Sequence, residues 1–320
     1  MTQTLETYSL FAIYSAMAVY ALAFIAFTFD LARRAAPAPA TATVGAATAV
    51  GGRTTVLLER LAMDAPVPDS GRVTSRPLRA AMALTVVGWV LHVAADVMRG
   101  LAAGRVPWAN MFEFSMTATA IVVGVFLLLQ FWQDFRFLGA YITGFVLILL
   151  GLATVNFYVA VVPLPEALKS TWLVIHVFVA SLGTGFFAIG AGLSIAQLLQ
   201  SRRETSGTGL RFLDTLPNAE KLENLAYRVI LVGFVFWTFT LIAGAIWAER
   251  AWGRYWGWDT KEVWTFIIWT IFAGYIHARA TRGWRGSRSA TLAIVGFGAV
   301  LFNFTIVNLF FKGMHTYSGL

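Results

Sequence analysis

The sequence predicts an all-α polytopic membrane protein of about eight transmembrane helices, with its N- and C-termini outside. Three observations carry this. Hydrophobic residues make up 58% of the 320-residue chain, and mean hydropathy is +0.70. Only 12% of residues are charged, about half of the roughly 25% typical of a soluble domain, too few to solvate a globule of this size. The apolar runs reach the roughly 20 residues a spanning helix needs, which is too long for barrel strands. A soluble enzyme, a disordered scaffold and a collagen-like fibre are excluded.

The elements follow in order. Segment 9–29 is apolar but lacks a basic leader, has Glu6 before it and Arg33-Arg34 after it, so it reads as a first span rather than a signal peptide. A long inner loop covers 30–78. Its Ala-, Thr- and Gly-rich stretch 35–52, with two Pro, has too little bulk to bury a core and reads as a flexible linker. Further spans are expected at 79–98, 111–132, 137–158, 171–198, 225–248, 262–281 and 290–311, with an outer Trp-rich loop over 248–262. With the N-terminus outside, 17 of the 24 Lys and Arg residues fall on inner loops and helix ends. That bias follows the positive-inside rule and explains the net charge of +8 without nucleic acid. No internal repeat is visible, so an inverted-repeat transporter gains no support. With no Cys, the chain has no disulfide, thiolate metal site or covalent haem attachment of its own.

The most unusual stretch is Trp252-Gly253-Arg254-Tyr255-Trp256-Gly257-Trp258-Asp259-Thr260-Lys261-Glu262. Five of the twelve Trp fall between 252 and 269. Glycines allow sharp turns or close approach, indoles offer flat faces, and Arg250, Arg254 and Lys261 suit carboxylates. A flat, aromatic, dianionic ligand such as a porphyrin with two propionates fits that set. A plain interfacial aromatic belt would need neither the glycines nor the acidic-basic ending.

Each of the four histidines is a functional candidate because ionisable residues in spans are costly. His176 lies near the outer end of span five and His315 follows span eight, so both share the level of the Trp-rich loop and suit bis-imidazole ligation of haem iron. Below His176, Ala180, Thr184, Ala188 and Gly192 form a small-residue ridge for a close helix or a planar ligand. His277 lies roughly 22 Å into span seven, on one face with Glu262, Trp269 and Ala273. It is a candidate ligand or a packing residue. His92 lies about 10 Å off that level and reads as structural or auxiliary. No general base or nucleophile has convincing spacing, so no catalytic residue is expected.

The sequence resembles the haem-handling proteins of cytochrome c maturation, specifically the CcsA/ResC-type component of system II, also called CcsB. The resemblance is strongest over about 170–320. It rests on the Trp252–Glu262 stretch, the family's WWD signature, on Trp172 with His176, on His277-Ala278-Arg279 with Gly283-Trp284, and on Gly313-Met314-His315-Thr316-Tyr317. Pro107–Glu113 is a weaker match. Thr260 stands where the family pattern has Pro and is expected to cap span seven instead.

The resemblance implies that His176 and His315 are outer axial ligands holding haem b, the transported substrate, against Trp252, Trp256, Trp258 and Asp259, with Arg254 or Lys261 on the propionates. It implies that His277 is a ligand of an inner site completed by a ResB-type membrane partner. The chain would be a multi-pass protein of a bacterial plasma membrane and a subunit of a holocytochrome c synthase, or haem lyase, complex. Residues 79–320 would be its haem-handling domain, apocytochrome c its acceptor, and a thioredoxin-like protein the thiol reductant. Two rivals remain at this level: a b-type electron-transfer cytochrome, and a small-molecule transporter.

Overall fold

All eight expected spans are helices. A computed structural model describes residues 2–35, 75–162, 164, 168–207, 209–281 and 283–315, so nearly all of the expected linker lies outside the described residues. The helices are α1 (Thr2–Ala35), α2 (Arg76–Ala103), α3 (Met111–Leu129), α4 (Gly139–Asn156), α5 (Thr171–Ser206), α6 (Ala219–Trp252), α7 (Thr260–Thr281) and α8 (Ser287–Phe302). A π-helical segment, Asn303–Val307, and a final turn, Asn308–Phe310, extend α8. Seven of these spans are long and apolar enough to cross a membrane, and the 22-residue α7 is long enough but more polar. The chain is a multi-pass membrane protein.

Local sequence sets the ends. Ser75, Asn110, Ser170 and Asn218 cap α2, α3, α5 and α6, each accepting a backbone N–H of the first turn. Gly104, Gly207 and Gly253 adopt left-handed backbone and close α2, α5 and α6. The 36 residues of α5 amount to about 54 Å, well beyond a hydrocarbon core of about 30 Å. Its last turns therefore project beyond the apolar stretch, where the sequence turns polar at Arg202 and Arg203.

Between helices that lipid cannot drive together, close contact holds the bundle. The α5–α6 pair is the most extensive, and α1–α2 follows. Gly183 of α5 approaches the backbone of α6: a Cβ there would lie 3.4 Å from the Gly233 carbonyl oxygen. Phe187 stacks on Phe272 of α7, with ring centroids 3.7 Å apart. Large apolar residues such as Phe11, Val90, Ile148 and Val235 face outward, as a lipid-facing surface requires.

A buried ionic knot ties the outer ends of α1, α2 and α3. Arg99, 1% exposed, pairs with Glu6 at 3.0 Å and with fully buried Glu113 at 3.1 Å. Glu113 also pairs with Arg105 at 2.6 Å. The Pro107–Glu113 segment is thus an anchor that delivers α3 to the outer end. At the inner end, Glu223 and Arg279 pair at 2.5 Å and fasten α6 to α7.

Candidate functional site

The start of α7 organises the Trp-rich loop. Glu262 reaches back, and its Oε2 accepts the N–H of Asp259 at 3.0 Å and of Gly257 at 2.8 Å. With Asp259 at the cap position and Glu262 three residues on, this is half of a capping box. The other half is diverted. The Asp259 carboxylate is drawn to His315, accepting from it at Nδ1 (2.5 Å) and at the backbone N–H (3.2 Å). Thr260 is the first helical residue, which corrects the expectation that it caps α7; Asp259 holds that position, its carbonyl taking the N–H of Val263. Trp258 bends the chain into this turn with a φ of 60°, a left-handed conformation costly for a large side chain.

His176 is held just as definitely from the other side. Its Nδ1 lies 3.0 Å from the Thr240 carbonyl on α6. A carbonyl only accepts, so Nδ1 carries the proton and Nε2 keeps the lone pair. For His315 the carboxylate fixes the same tautomer. The hydrogen bond from His315 holds the Asp259 carboxyl below the usual carboxylate range, with partial burial opposing it. Neither Nε2 has a hydrogen-bond partner among the described residues. Histidines that ligate metals commonly have this second-shell arrangement, an Nδ1–H given to a carbonyl or carboxylate.

Trp247 joins the two rings. It is 2% exposed and lies near-parallel to His176 (6.1 Å between centroids), and edge-on to His315 at 5.4 Å. Trp252 packs on Trp247 and on His315 at 4.7 and 4.8 Å. Glycines make the space. A Cβ on Gly244 would lie 2.7 Å from the His176 ring, and one on Gly313 would collide with the Asp259 carboxylate.

Both histidines border one cavity of about 180 Å³ that runs into the bundle between α3, α5 and α8. Phe114, Val122, Phe145, Leu149, Trp237 and Phe304 make its walls apolar. A smaller lobe of about 60 Å³ opens sideways between α6 and α7 beneath Tyr255 and Trp256, sharing His176, Lys261 and His315 with the first. Lys261 borders both lobes, is bonded by its Nζ to the Asn308 side chain, and makes no ion pair among the described residues. Nearby, Asn303 Oδ1 and Glu262 Oε1 are buried without partners. The π-helical segment begins at Asn303, where it widens the α8 wall; such segments are frequent at functional sites.

The family model for the cytochrome C assembly protein matches residues 108–315. The CcsA cytochrome c biogenesis protein of Prochlorococcus marinus is 36% identical over 249 residues, covering 69% of this chain and 78% of its own. That of Synechococcus elongatus is 35% identical, covering 68% and 81%. This chain belongs to the CcsA family of cytochrome c biogenesis proteins. Its role is therefore in cytochrome c biogenesis. Among solved structures, the cytochrome c haem lyase CcmF shares the fold: TM-score 0.64 over 94% of this chain and 46% of that one, at 16% identity.

Within this CcsA-type chain, the structure gathers His176, His315, Trp252, Asp259, Lys261 and, at the lateral lobe, Trp256. It does not bring Arg254 to the cavity; that guanidinium lies across Gly257, where no Cβ would fit. Trp258 is 78% exposed and points away from both lobes. The small-residue ridge divides: Ala180 and Thr184 line the cavity, whereas Ala188 and Gly192 receive Tyr141 of α4. His277 stands exposed on the flank of α7, far from the outer pair. His92 is fully buried beside Tyr20 of α1, and α2 and α7 make no substantial contact, so His92 and His277 are not partners in one site. Residues 316–317 of the Gly313–Tyr317 motif lie outside the described residues.

Sequence reasoning missed Trp247, Gly244 and the Thr240 carbonyl. Each sits in an apolar span where nothing distinguishes it from packing. Glu262 and Asn308 were equally silent about their reach.

Proposed function

We propose that this CcsA-type protein carries haem b across the membrane and presents it at the outer end to apocytochrome c, as a subunit of a haem lyase complex in a bacterial plasma membrane. The observation that carries this reading is the pair of fixed imidazoles, His176 and His315, each held at Nδ1 and both lining one apolar slot. A slot of about 180 Å³ is below the roughly 300–1,000 Å³ of ordinary small-molecule pockets, so it takes in only part of a porphyrin. The rest of the macrocycle occupies the lateral opening, under Tyr255 and Trp256. Lys261, a half-buried cation that makes no ion pair among the described residues, takes one propionate; Arg254, turned onto Gly257, serves the solvent side.

The chain's own contribution is positioning. Ligands fixed by Thr240 and Asp259 orient the haem, and the vinyl edge faces the CxxCH thiols that the acceptor supplies. Thiols stay reduced through a thioredoxin-like partner, since this chain has no Cys. His277, exposed on α7, offers an inner ligand whose mate comes from a ResB-type membrane partner. Transport by a small-molecule carrier and electron transfer by a b-type cytochrome both fit less well: the first has no use for two lone-pair nitrogens at one slot, and the second needs a further paired-histidine site.

The test is spectroscopic. The complex is purified with its partner and its visible spectrum recorded. His176→Gly and His315→Gly should each lose the outer six-coordinate haem signal and regain it with added imidazole. His277→Gly should empty only the inner site. Normal haem content and normal cytochrome c assembly in both outer variants would sink the reading.

A further inference from the structure

We propose that Asn308 is the positioning residue for the haem carboxylate: it fixes the Lys261 ammonium at the junction of the two lobes, where that ammonium takes a single propionate on the α8 side. This deepens the haem reading and rests on it.

Asn308 directly follows the π-helical segment Asn303–Val307. A π turn holds one residue more than an α turn and so re-aims the side chains that come after it. The backbone N–H of Asn308 turns to the Thr305 carbonyl, while its side-chain Nδ2 donates to the Phe304 carbonyl at 2.8 Å. The same Nδ2 lies 3.4 Å from Met111 Sδ on α3. Both amide hydrogens are thereby engaged. Turning the amide over would set its oxygen against a carbonyl oxygen, so Oδ1 faces α7. There it accepts from Lys261 Nζ. Contacts on α3, α7 and α8 thus fix one hydrogen bond.

An ammonium carries three donors, and Asn308 takes one. Among the described residues no other acceptor bonds Nζ. The two nearby carboxylates of the Trp-rich loop and α7 are committed elsewhere: Asp259 holds His315, and Glu262 Oε2 holds the N–H groups of Gly257 and Asp259. Open donors on a cation in an apolar wall fit an anion, and a propionate is the anion that haem supplies. The side on which it binds is set as well. Glu262 borders the lateral lobe, where its Oε1 is buried without a partner and opposes a carboxylate. The larger slot, which Asn308 lines, has no acidic side chain on its walls. Lys261 is also the only Lys or Arg on those walls, so one propionate is held and the second is left to the opening.

The experiment titrates the full-length protein in lipid nanodiscs with ferric haem and, separately, with its dimethyl ester, which keeps ring and iron but has no carboxylate. Both are followed by the six-coordinate visible spectrum. The parent should prefer haem by roughly ten-fold or more, the scale of a hydrogen bond to a charged group. Partitioning of the ester into lipid is common to all variants, so the change in that preference is what is read. Lys261→Met and Asn308→Leu should each lower it by about the same factor. Asn308→Asp should invert it, because a carboxylate fixed beside Lys261 excludes a second one. A residue that merely packed would weaken both ligands alike. The same preference in the parent, Asn308→Leu and Asn308→Asp would overturn the role of Asn308 and leave the haem reading standing. A parent with no six-coordinate spectrum for either ligand would overturn both. If the Asn308 variants fail to insert, an unchanged preference in Lys261→Met overturns the proposal alone.

Discussion

Asp259 has one carboxylate and two claims on it. As the residue preceding α7 it would ordinarily cap that helix, a contribution of about 1 kcal/mol. Its side chain is drawn to His315, and Glu262 reaches back to hold the N–H groups of Asp259 and Gly257 ahead of the helix. Asp259→Asn keeps an oxygen that accepts from Nδ1 but loses the charge. A charge-assisted bond exceeds a neutral one by about 1 kcal/mol, so haem should be displaced by imidazole at roughly five-fold lower concentration in this variant. The pH dependence has a definite sign. A carboxyl held below its ordinary value stabilises above that value and stops doing so as pH falls through its folded value. The Asp259 side of this latch should therefore hold at neutral pH and be lost only below about 3.9, followed as loss of the outer haem spectrum. Gly244→Ala tests the opposite ring. A methyl group 2.7 Å from His176 displaces it, and the outer site should load poorly although the α6 helix gains propensity.

At the level of elements, α7 is where sequence and structure part most instructively. The Trp-rich stretch announces itself by composition, and the level of His176 and His315 follows from counting residues along spans. What counting does not give is azimuth. Arg254 and Lys261 are equivalent on paper, yet only Lys261 falls on the side of α7 that meets α8. Trp256 and Trp258 are likewise two residues apart and pack edge-on at 5.9 Å, yet with the left-handed turn at Trp258 only Trp256 borders the lateral lobe while Trp258 is exposed. Trp247 was invisible because an indole in an apolar span reads as packing. Glu262 ties the loop to the helix, and its two hydrogen bonds separate function from shape. Glu262→Gln retains a carbonyl oxygen for the N–H groups of Gly257 and Asp259, and should load haem normally. Glu262→Ala should release the loop, seen as increased quenching of Trp fluorescence by a soluble quencher and as loss of outer haem.

For the whole molecule, the eight spans were readable from length and hydropathy alone, because a bilayer accepts few alternatives to the helix. The partnerships were not: that α5 runs against α6, and that Glu6, Arg99 and Glu113 meet, depends on contacts between segments far apart in sequence. Glu113→Ala would leave buried Arg99 with Glu6 alone and take the carboxylate from Arg105, a change worth about 3–5 kcal/mol. It should lower the thermal midpoint of the purified protein more than any change within the Trp-rich loop. Sidedness is open to a direct check, because the chain has no Cys. Tyr255→Cys should react with an impermeant maleimide from the outer face only, and Arg285→Cys from the inner face only; the reverse pattern would invert the topology. The tie between Asp259 and His315 also carries a consequence for biosynthesis. One side of the ligand slot is set when α5 and α6 insert, but the other is supplied by His315, a residue beyond α8 and so made later than all eight helices. A nascent chain that has not reached His315 thus lacks one half of its grip at this site, and competence arrives in a single step once that residue is made. Truncation after α8 should yield an inserted protein that has never held haem at its outer face.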